Sequence, residues 1–338
     1  MPTVSTDAGI LPRDGAASAL TSAATRLRGS TSVTVVCHEN PDADTLGGGL
    51  ALARALDALG IDVEVVCSTG IPTTMRFLPE ISTIQHAASG NRDTIVLVDC
   101  ASIDRAGPSV ASWIRASERS IINVDHHVSN GGYGAIVCID HQAAATSEIV
   151  ARLIGALGLE PDREMAVLLL AGILHDTDGL RVPETSASTL RLTADLVDAG
   201  ADLGSIHRSL FSQRPISALL LWGRVATSLQ AFADGRVVIG TLTTEMLDAC
   251  GAEMLDAEDL PELIASVRGA QVAILLREIS PNLTRASIRT TDPVNAAAIA
   301  LEFAGGGHDH AAGCSIDGDL DSARERLLDA SSRHLRQP

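Results

Sequence analysis

His38, Asp42 and Asp44 put one imidazole and two carboxylates into seven consecutive positions. Three other clusters are alike in kind. Asp99 ends the apolar run 94–98, Asp125, His126 and His127 follow the strand-like run that starts at Ile121, and His175, Asp176 and Asp178 close an apolar stretch reaching Leu174. A carboxylate at the end of a buried segment is costly unless a cation compensates it. Four such ends in one chain, with imidazoles among them, point to a divalent metal centre. Imidazole and carboxylate without thiolate suit Mn²⁺ best, with Mg²⁺, Co²⁺ and Zn²⁺ as alternatives. More candidate ligands than one ion needs suggests two ions sharing a carboxylate. That arrangement clamps the attacking and leaving oxygens of an in-line displacement at phosphorus.

These side chains need a scaffold that gathers them. Residues 33–37 are β-branched and apolar, a buried strand, and the Gly-, Ala- and Leu-rich segment 45–59 is a helix stopped by Gly60. His38, Asp42 and Asp44 then lie in a strand-to-helix turn, where open α/β sheets bind ligands. Further strands are expected over 62–67, 94–99 and 120–125, a partly helical stretch over 105–117, and a helix over 16–28 covering one sheet edge, after a loose tail at 1–12. This alternation predicts a mostly parallel sheet with its strand ends on one rim. Helices follow over 145–157, 162–174 and 187–199. Strands over 236–242, 271–279 and 283–290, the last two a hairpin, and a helix over 293–303 make a smaller α+β unit. The expected organisation is an N-terminal α/β domain over 1–205, a helical linker over 206–230 broken at Pro215, and a C-terminal domain over 231–338.

A chain of 338 residues suits two domains, and 46% apolar residues with only 2% aromatics implies aliphatic cores. The net charge of −17 excludes a long nucleic-acid track, which needs a broad basic face. A small anion held by metals and a few arginines remains compatible; every lysine-or-arginine cation in the chain is an arginine. Six cysteines without C-x-x-C spacing fit a reduced, cytoplasmic protein. No basic-then-apolar leader and no membrane-length apolar run stand in the sequence, so no signal peptide and no membrane partner are expected.

Taken together, these residues resemble the DHH phosphoesterase family, named for the triplet Asp125-His126-His127. Residues 38–44 match its first motif, Asp99 its second, the triplet its third and Asp176 its fourth, while Gly305, Gly306, Gly307 and His308, within 305–313, look like the signature of its associated substrate domain. The resemblance implies one metal held by His38, Asp42 and Asp99 and another held by Asp44, Asp99, His126 and Asp176, with Asp99 bridging. It implies a water activated by both ions, His127 facing the substrate, and Asp125 orienting its neighbours. In the C-terminal domain it implies phosphate contacts from Arg289, Asn295, the glycines 305–307 and His308. The fourth motif departs from the family's aspartate-threonine-glycine: Asp178 stands between Thr177 and Gly179, as an extra acid near the metals or a loop substitution. His175 reads as a packed or surface histidine.

Length and C-terminal signature resemble the nanoRNase and pAp-phosphatase branch. That implies a homodimer with its site in a cleft between domains. It implies short RNA or small nucleotide substrates: nanoRNA, pApA, cyclic di-AMP and pAp. An exopolyphosphatase or pyrophosphatase would share the four motifs, and a non-catalytic nucleotide sensor would share the fold; the full ligand set favours turnover. Weaker signals are Thr146, Ser147 and Glu148, which read equally as a helix cap with an acidic first turn. Trp113, Trp222, Phe211 and Phe303 read as core or interface rather than base-stacking residues, and Arg105 as a phosphate contact or a solvated side chain.

Overall fold

The computed structural model describes residues 14–90 and 92–335; the tail expected over 1–12 lies outside them. The chain divides into two units between Gln213 and Arg214. Of the stretch 206–230, the part before this point holds the end of a short helix and a π turn, and the part after it holds a helix of the second unit.

In the first unit the elements run α1 (Asp14–Arg28), β1 (Ser32–Cys37), α2 (Ala43–Ala58), β2 (Asp62–Val66), β3 (Thr94–Val98), α3 (Pro108–Arg115), β4 (Ser120–Asp125), β5 (Ile136–Ile139), α4 (Thr146–Ala156), α5 (Arg163–Asp176), α6 (Ala187–Asp198) and α7 (Leu203–His207). The sheet is wholly parallel in the order β2-β1-β3-β4-β5. The order reverses between β1 and β3, so the crevice beyond their carboxyl ends is the natural ligand site. Alternation along the strands sends Val33, Val35, Val96 and Val98 to one face, against α2, α4 and α5, and Val36, Ile95 and Leu97 to the other, against Val110 and Ile114 of α3. The edge strand β5, unforeseen in the sequence reading, lies beside α1.

The glycines of α2 carry a packing function. Gly in a helix costs about 1 kcal/mol relative to Ala, yet Gly47, Gly48 and Gly49 follow one another. A Cβ on Gly47 would fall on the Leu168 carbonyl oxygen of α5, and one on Gly49 would come 2.7 Å from the Cys37 sulfur. On α5, a Cβ on Gly172 would strike the Ser147 hydroxyl and approach Asp44 Oδ1 to 2.7 Å. Helices α2 and α5 therefore meet backbone to backbone, and Ser147 and Val150 of α4 press on their glycines, which sets Asp44 against the start of α4. Gly47→Ala should destabilise the first unit by roughly 1–3 kcal/mol through overpacking. In thermal denaturation its midpoint should fall by several degrees; an unchanged midpoint would show that the helices can part without cost.

The second unit runs α8 (Ile216–Thr227), β6 (Gln230–Phe232), β7 (Val237–Leu242), α9 (Thr244–Cys250), α10 (Leu260–Ala265), β8 (Val272–Ser280), β9 (Leu283–Thr290), α11 (Ala296–Leu301), β10 (Gly306–Gly307), β11 (Ala311–Asp317) and α12 (Leu320–His334). Its mixed sheet has the order β10-β11-β9-β8-β7-β6. Helices α11 and α12 cover one face through Ile299, Ala323 and Leu327. On the other face α8 and α10 bury Leu221, Val225, Leu260 and Ile264 against β7 and β8. The hairpin expected over 271–290 is β8–β9. The helix expected from Pro293 begins at Ala296, because Asn295 is its cap.

Candidate metal centre

Strand β1 delivers His38, whose Nδ1–H donates to the Glu39 carbonyl at 2.8 Å. That bond fixes the tautomer and leaves Nε2 as a ligand atom. His38 Nε2 lies 3.4 Å from Asp42 Oδ2 and 3.5 Å from Asp99 Oδ2. Asp42 does two things with its two oxygens. Oδ1 caps α2, accepting the N–H groups of Asp44 and Thr45 at 3.0 Å each, while Oδ2 faces His38.

Asp44 is wholly buried. Its Oδ2 accepts the Thr146 N–H at 2.6 Å and its Oδ1 the Ser147 N–H at 2.9 Å. The N-cap position of α4 is Ala145, which has no side-chain acceptor. A distant carboxylate therefore supplies the cap, aided by the partial positive charge of the helix terminus. The local capping reading of Thr146 and Ser147 gives way to this. Thr146 Oγ1–H donates instead to Asp99 Oδ1 at 2.7 Å, and Glu148 accepts the Thr189 hydroxyl at 2.7 Å.

Asp99 leaves β3 with φ +60°, a left-handed conformation that aspartate tolerates better than most residues. It is 2% exposed, with His127 Nδ1 3.4 Å from its Oδ1. Asp125, fully buried, holds the triplet together. Its Oδ1 accepts the backbone N–H groups of His126 at 2.7 Å and His127 at 3.1 Å and lies 2.8 Å from His127 Nδ1. Its Oδ2 accepts from Asn130 at 2.6 Å. Asn130 went unnoticed in the sequence because it sits in a stretch that reads simply as a turn. His126 Nδ1 faces the Ala143 carbonyl at 3.2 Å. Its Nε2, 3.1 Å from Asp176 Oδ2, is buried without a hydrogen-bond partner among the described residues.

Helix α5 runs two residues past its expected end, so His175 and Asp176 form its last turn. His175, expected as a packed or surface histidine, packs at the edge of the site: its Nδ1 is 3.3 Å from Asp176 Oδ1, and it groups with Asp42 and Asp176. Asp178 turns away to pair with Arg181 at 2.5 Å, half-exposed. The insertion after Asp176 is thus a surface loop feature.

The structure gathers the four sequence clusters into one connected network. Ligand atoms of His38, Asp42 and Asp99 lie within 4.8 Å of one another, as do those of Asp44, His126 and Asp176. Asp99 also groups with His126 and His127. The orphaned His126 Nε2, aimed at carboxylates, fits a cation: these residues suit a divalent metal. Their charges lean on one another. Burial raises the Asp44 carboxyl, as do the nearby charges of Asp176 and Asp99. Burial works the same way on Asp99, but hydrogen bonds from His127, His38 and Thr146 hold it far below the usual carboxylate range. Burial disfavours the charged imidazoles of His38 and His126, yet their carboxylate neighbours raise them to about 10 and about 9. Without metal these rings carry protons at neutral pH. Metal binding should therefore release protons, and its affinity should climb as pH rises from 6 to 9, by up to about tenfold per unit for each proton displaced. Titration with Mn²⁺ in a weakly buffered indicator checks this; a pH-independent affinity would mean the rings are already neutral.

In the second unit the expected phosphate contacts divide. Arg289 pairs with Glu262 at 2.7 Å. Asn295 caps α11 through the Ala298 N–H at 2.9 Å and donates to Asp309 at 2.7 Å. A Cβ on Gly305 or Gly307 would collide with β11, so close strand pairing explains these two glycines. Gly306 faces open space, and His308 is exposed. Trp113, Trp222, Phe211 and Phe303 contact Arg119, the Asp256 carbonyl, His207 and Arg326 respectively. All six cysteines are free.

Residues 32–173 match the model of the DHH family N-terminal domain, and residues 236–336 that of the DHHA1 domain. The chain is 35% identical over 302 residues to the bifunctional oligoribonuclease and PAP phosphatase NrnA of Thermus thermophilus, covering 89% of each. The chain belongs to the DHH family of phosphoesterases. Another relative, a probable manganese-dependent inorganic pyrophosphatase of Streptococcus agalactiae, is 24% identical over 279 residues, or 78% of this chain and 83% of its own. The fold is shared with an exopolyphosphatase-related protein from Bacteroides fragilis, at a TM-score of 0.86 and 23% identity over 94% of this chain and 96% of the other. Among the described residues, no helix of this DHH protein is long and apolar enough to cross a membrane.

Proposed function

We propose that this DHH protein is a Mn²⁺-dependent phosphoesterase that cleaves short oligoribonucleotides and dinucleotides to mononucleotides and removes the 3′-phosphate of pAp. The convergence of Asp42, Asp44, Asp99 and Asp176 with His38 and His126 at the carboxyl rim of the parallel sheet carries the proposal. The likeness to an oligoribonuclease and PAP phosphatase supports the choice of substrate. His38, Asp42 and Asp99 would hold one ion, and Asp44, Asp99, His126 and Asp176 a second. When bound there, such ions would supply a water of lowered pKa and positive charge beside the phosphoryl oxygens. The chain's own groups do the rest. Asp125 and Asp99 raise His127 to about 11 against the effect of burial, so at neutral pH both ring nitrogens carry protons. Nδ1 is spent on Asp125, and the 44% exposed ring offers Nε2–H to a phosphate or leaving oxygen. In the second unit, Gly306, His308 and Arg289, once released from Glu262, would take the far phosphate. Asn295 would act by holding α11 and Asp309 in place. We place the enzyme in the cytoplasm as a homodimer.

Product analysis with Mn²⁺ tests this. The wild-type chain is expected to release AMP from pApA and pAp. Phosphate from polyphosphate alone would make it a polyphosphatase or pyrophosphatase, and binding without turnover would make it a sensor.

A further inference from the structure

On the second unit's sheet, one face of β9 and β11 buries Ala286, Ile288, Ala312 and Cys314 in the core. The opposite face is covered over β8, where Ala273 and Leu275 lie under α8 and α10, and it opens over β9 and β11. On this open side Arg277 stands directly opposite Arg285, and Arg285 opposite Ser315. Like charges facing each other across neighbouring strands are destabilising. Neither arginine has an ion pair or hydrogen bond among the described residues, and the Arg277 Nε is buried and unpartnered. Burial, then the charge of Arg285, lowers the Arg277 pKa. The contrast with the rest of the chain is informative: with acids outnumbering arginines 42 to 25, carboxylates were at hand, and Arg54 alone gathers three. Two facing guanidinium groups without an ion pair among the described residues, on a floor of small residues (Ser287, Gly313 and Ser315), have the chemistry of a phosphate seat.

We infer that Arg277 and Arg285, with Ser315, form a second phosphate site for the short nucleotide substrate. It lies about 13 Å along β9 from Arg289, four residues at the rise of a strand. The inference rests on the functional reading above for its ligand. It makes recognition length-dependent: a strand long enough to reach from Arg289 to this row gains a contact that pAp cannot make.

The test is equilibrium binding of pAp, pApA and pApApA to the full chain in chelator, where nothing is hydrolysed, at two salt concentrations. Wild type should bind pApApA more tightly than pAp. In Arg285→Gln, exposed and free of packing duties, the affinity for pApApA should fall about tenfold, and the log–log salt slope should drop by about 0.7 for the lost contact. Arg277→Met should weaken pApApA binding similarly while raising the unfolding midpoint, since it removes a like-charge contact and an orphaned donor. No length dependence in wild type, or unchanged affinity and slope in Arg285→Gln, would overturn the site. So would Arg277→Met that lowers the midpoint and leaves binding intact. Turnover of pApA by wild type with Mn²⁺ is scored separately. Absence of AMP would sink the functional reading alone, and AMP with unaltered binding in the variants would sink the arginine site alone.

Discussion

Asp99→Asn should lower kcat/KM for pApA by at least about 10³-fold, the loss expected when metal-borne stabilisation of several kcal/mol goes. Asparagine is the discriminating replacement. It tolerates the left-handed backbone at φ +60° and can still accept from Thr146 Oγ1, so the fold is kept and only the charge is lost. That charge is shared. Asp99 Oδ2 lies 3.5 Å from His38 Nε2, and Oδ1 lies 3.8 Å from His126 Nε2, so both proposed ion positions draw on it. A variant at a residue proposed for one position, such as His38, removes a donor from that position only. Metal content measured alongside activity separates the cases. Asp99→Asn should lose Mn²⁺ as well as turnover, with an unfolding midpoint close to that of the metal-free wild type. Near-normal turnover would remove Asp99 from the role of bridge.

The contributors to this site were legible in the sequence to the degree that each stood at the end of a regular apolar segment. His38 and Asp99 follow, and Asp125 ends, strands whose β-branched runs announce themselves, and the parallel order brings their ends to one rim. His175 reads as a packed or surface histidine, and because α5 runs two residues past its expected end the ring packs beside Asp176 in the helix's last turn. Asn130 and the cap that Asp44 makes on α4 could not be read, since both are long-range or turn-borne contacts without periodicity. The glycines of α2 and α5 were visible as composition, but their pairing is a property of two helices in contact. In the second unit β11 went unread for a related reason. Residues 311–313 are small and sit inside the glycine-histidine signature, so the motif masked the strand. The same strand pairing gives Gly305 and Gly307 a steric reason to be glycine. It leaves Gly306 as the glycine of the three with open space for a ligand.

Removing the metal should cost the first unit stability as well as activity. Asp44, fully buried, and Asp99 at 2% exposure lie in one network with Asp42 and Asp176, and without cations their repulsion is met by the neighbouring imidazoles and hydrogen-bond donors and is felt in the raised pKa of Asp44. An ion bound at 100 times its dissociation constant adds about 2.7 kcal/mol to the folded state. For a domain of this size each kcal/mol moves the midpoint by about 2–4 °C, so one ion should shift it by roughly 5–10 °C. The aliphatic core around α2 and α5 belongs to the first unit, and the two faces of the mixed sheet have cores of their own. Calorimetry with Mn²⁺ and then with chelator should therefore move the transition carried by the first unit and leave that of the second in place. Asp44→Asn should blunt the shift while also loosening α4, because the lost carboxylate is both a proposed ligand and the helix cap. If chelation moved neither transition, the carboxylates would be balanced by their histidines alone, and a metal would have no place among them.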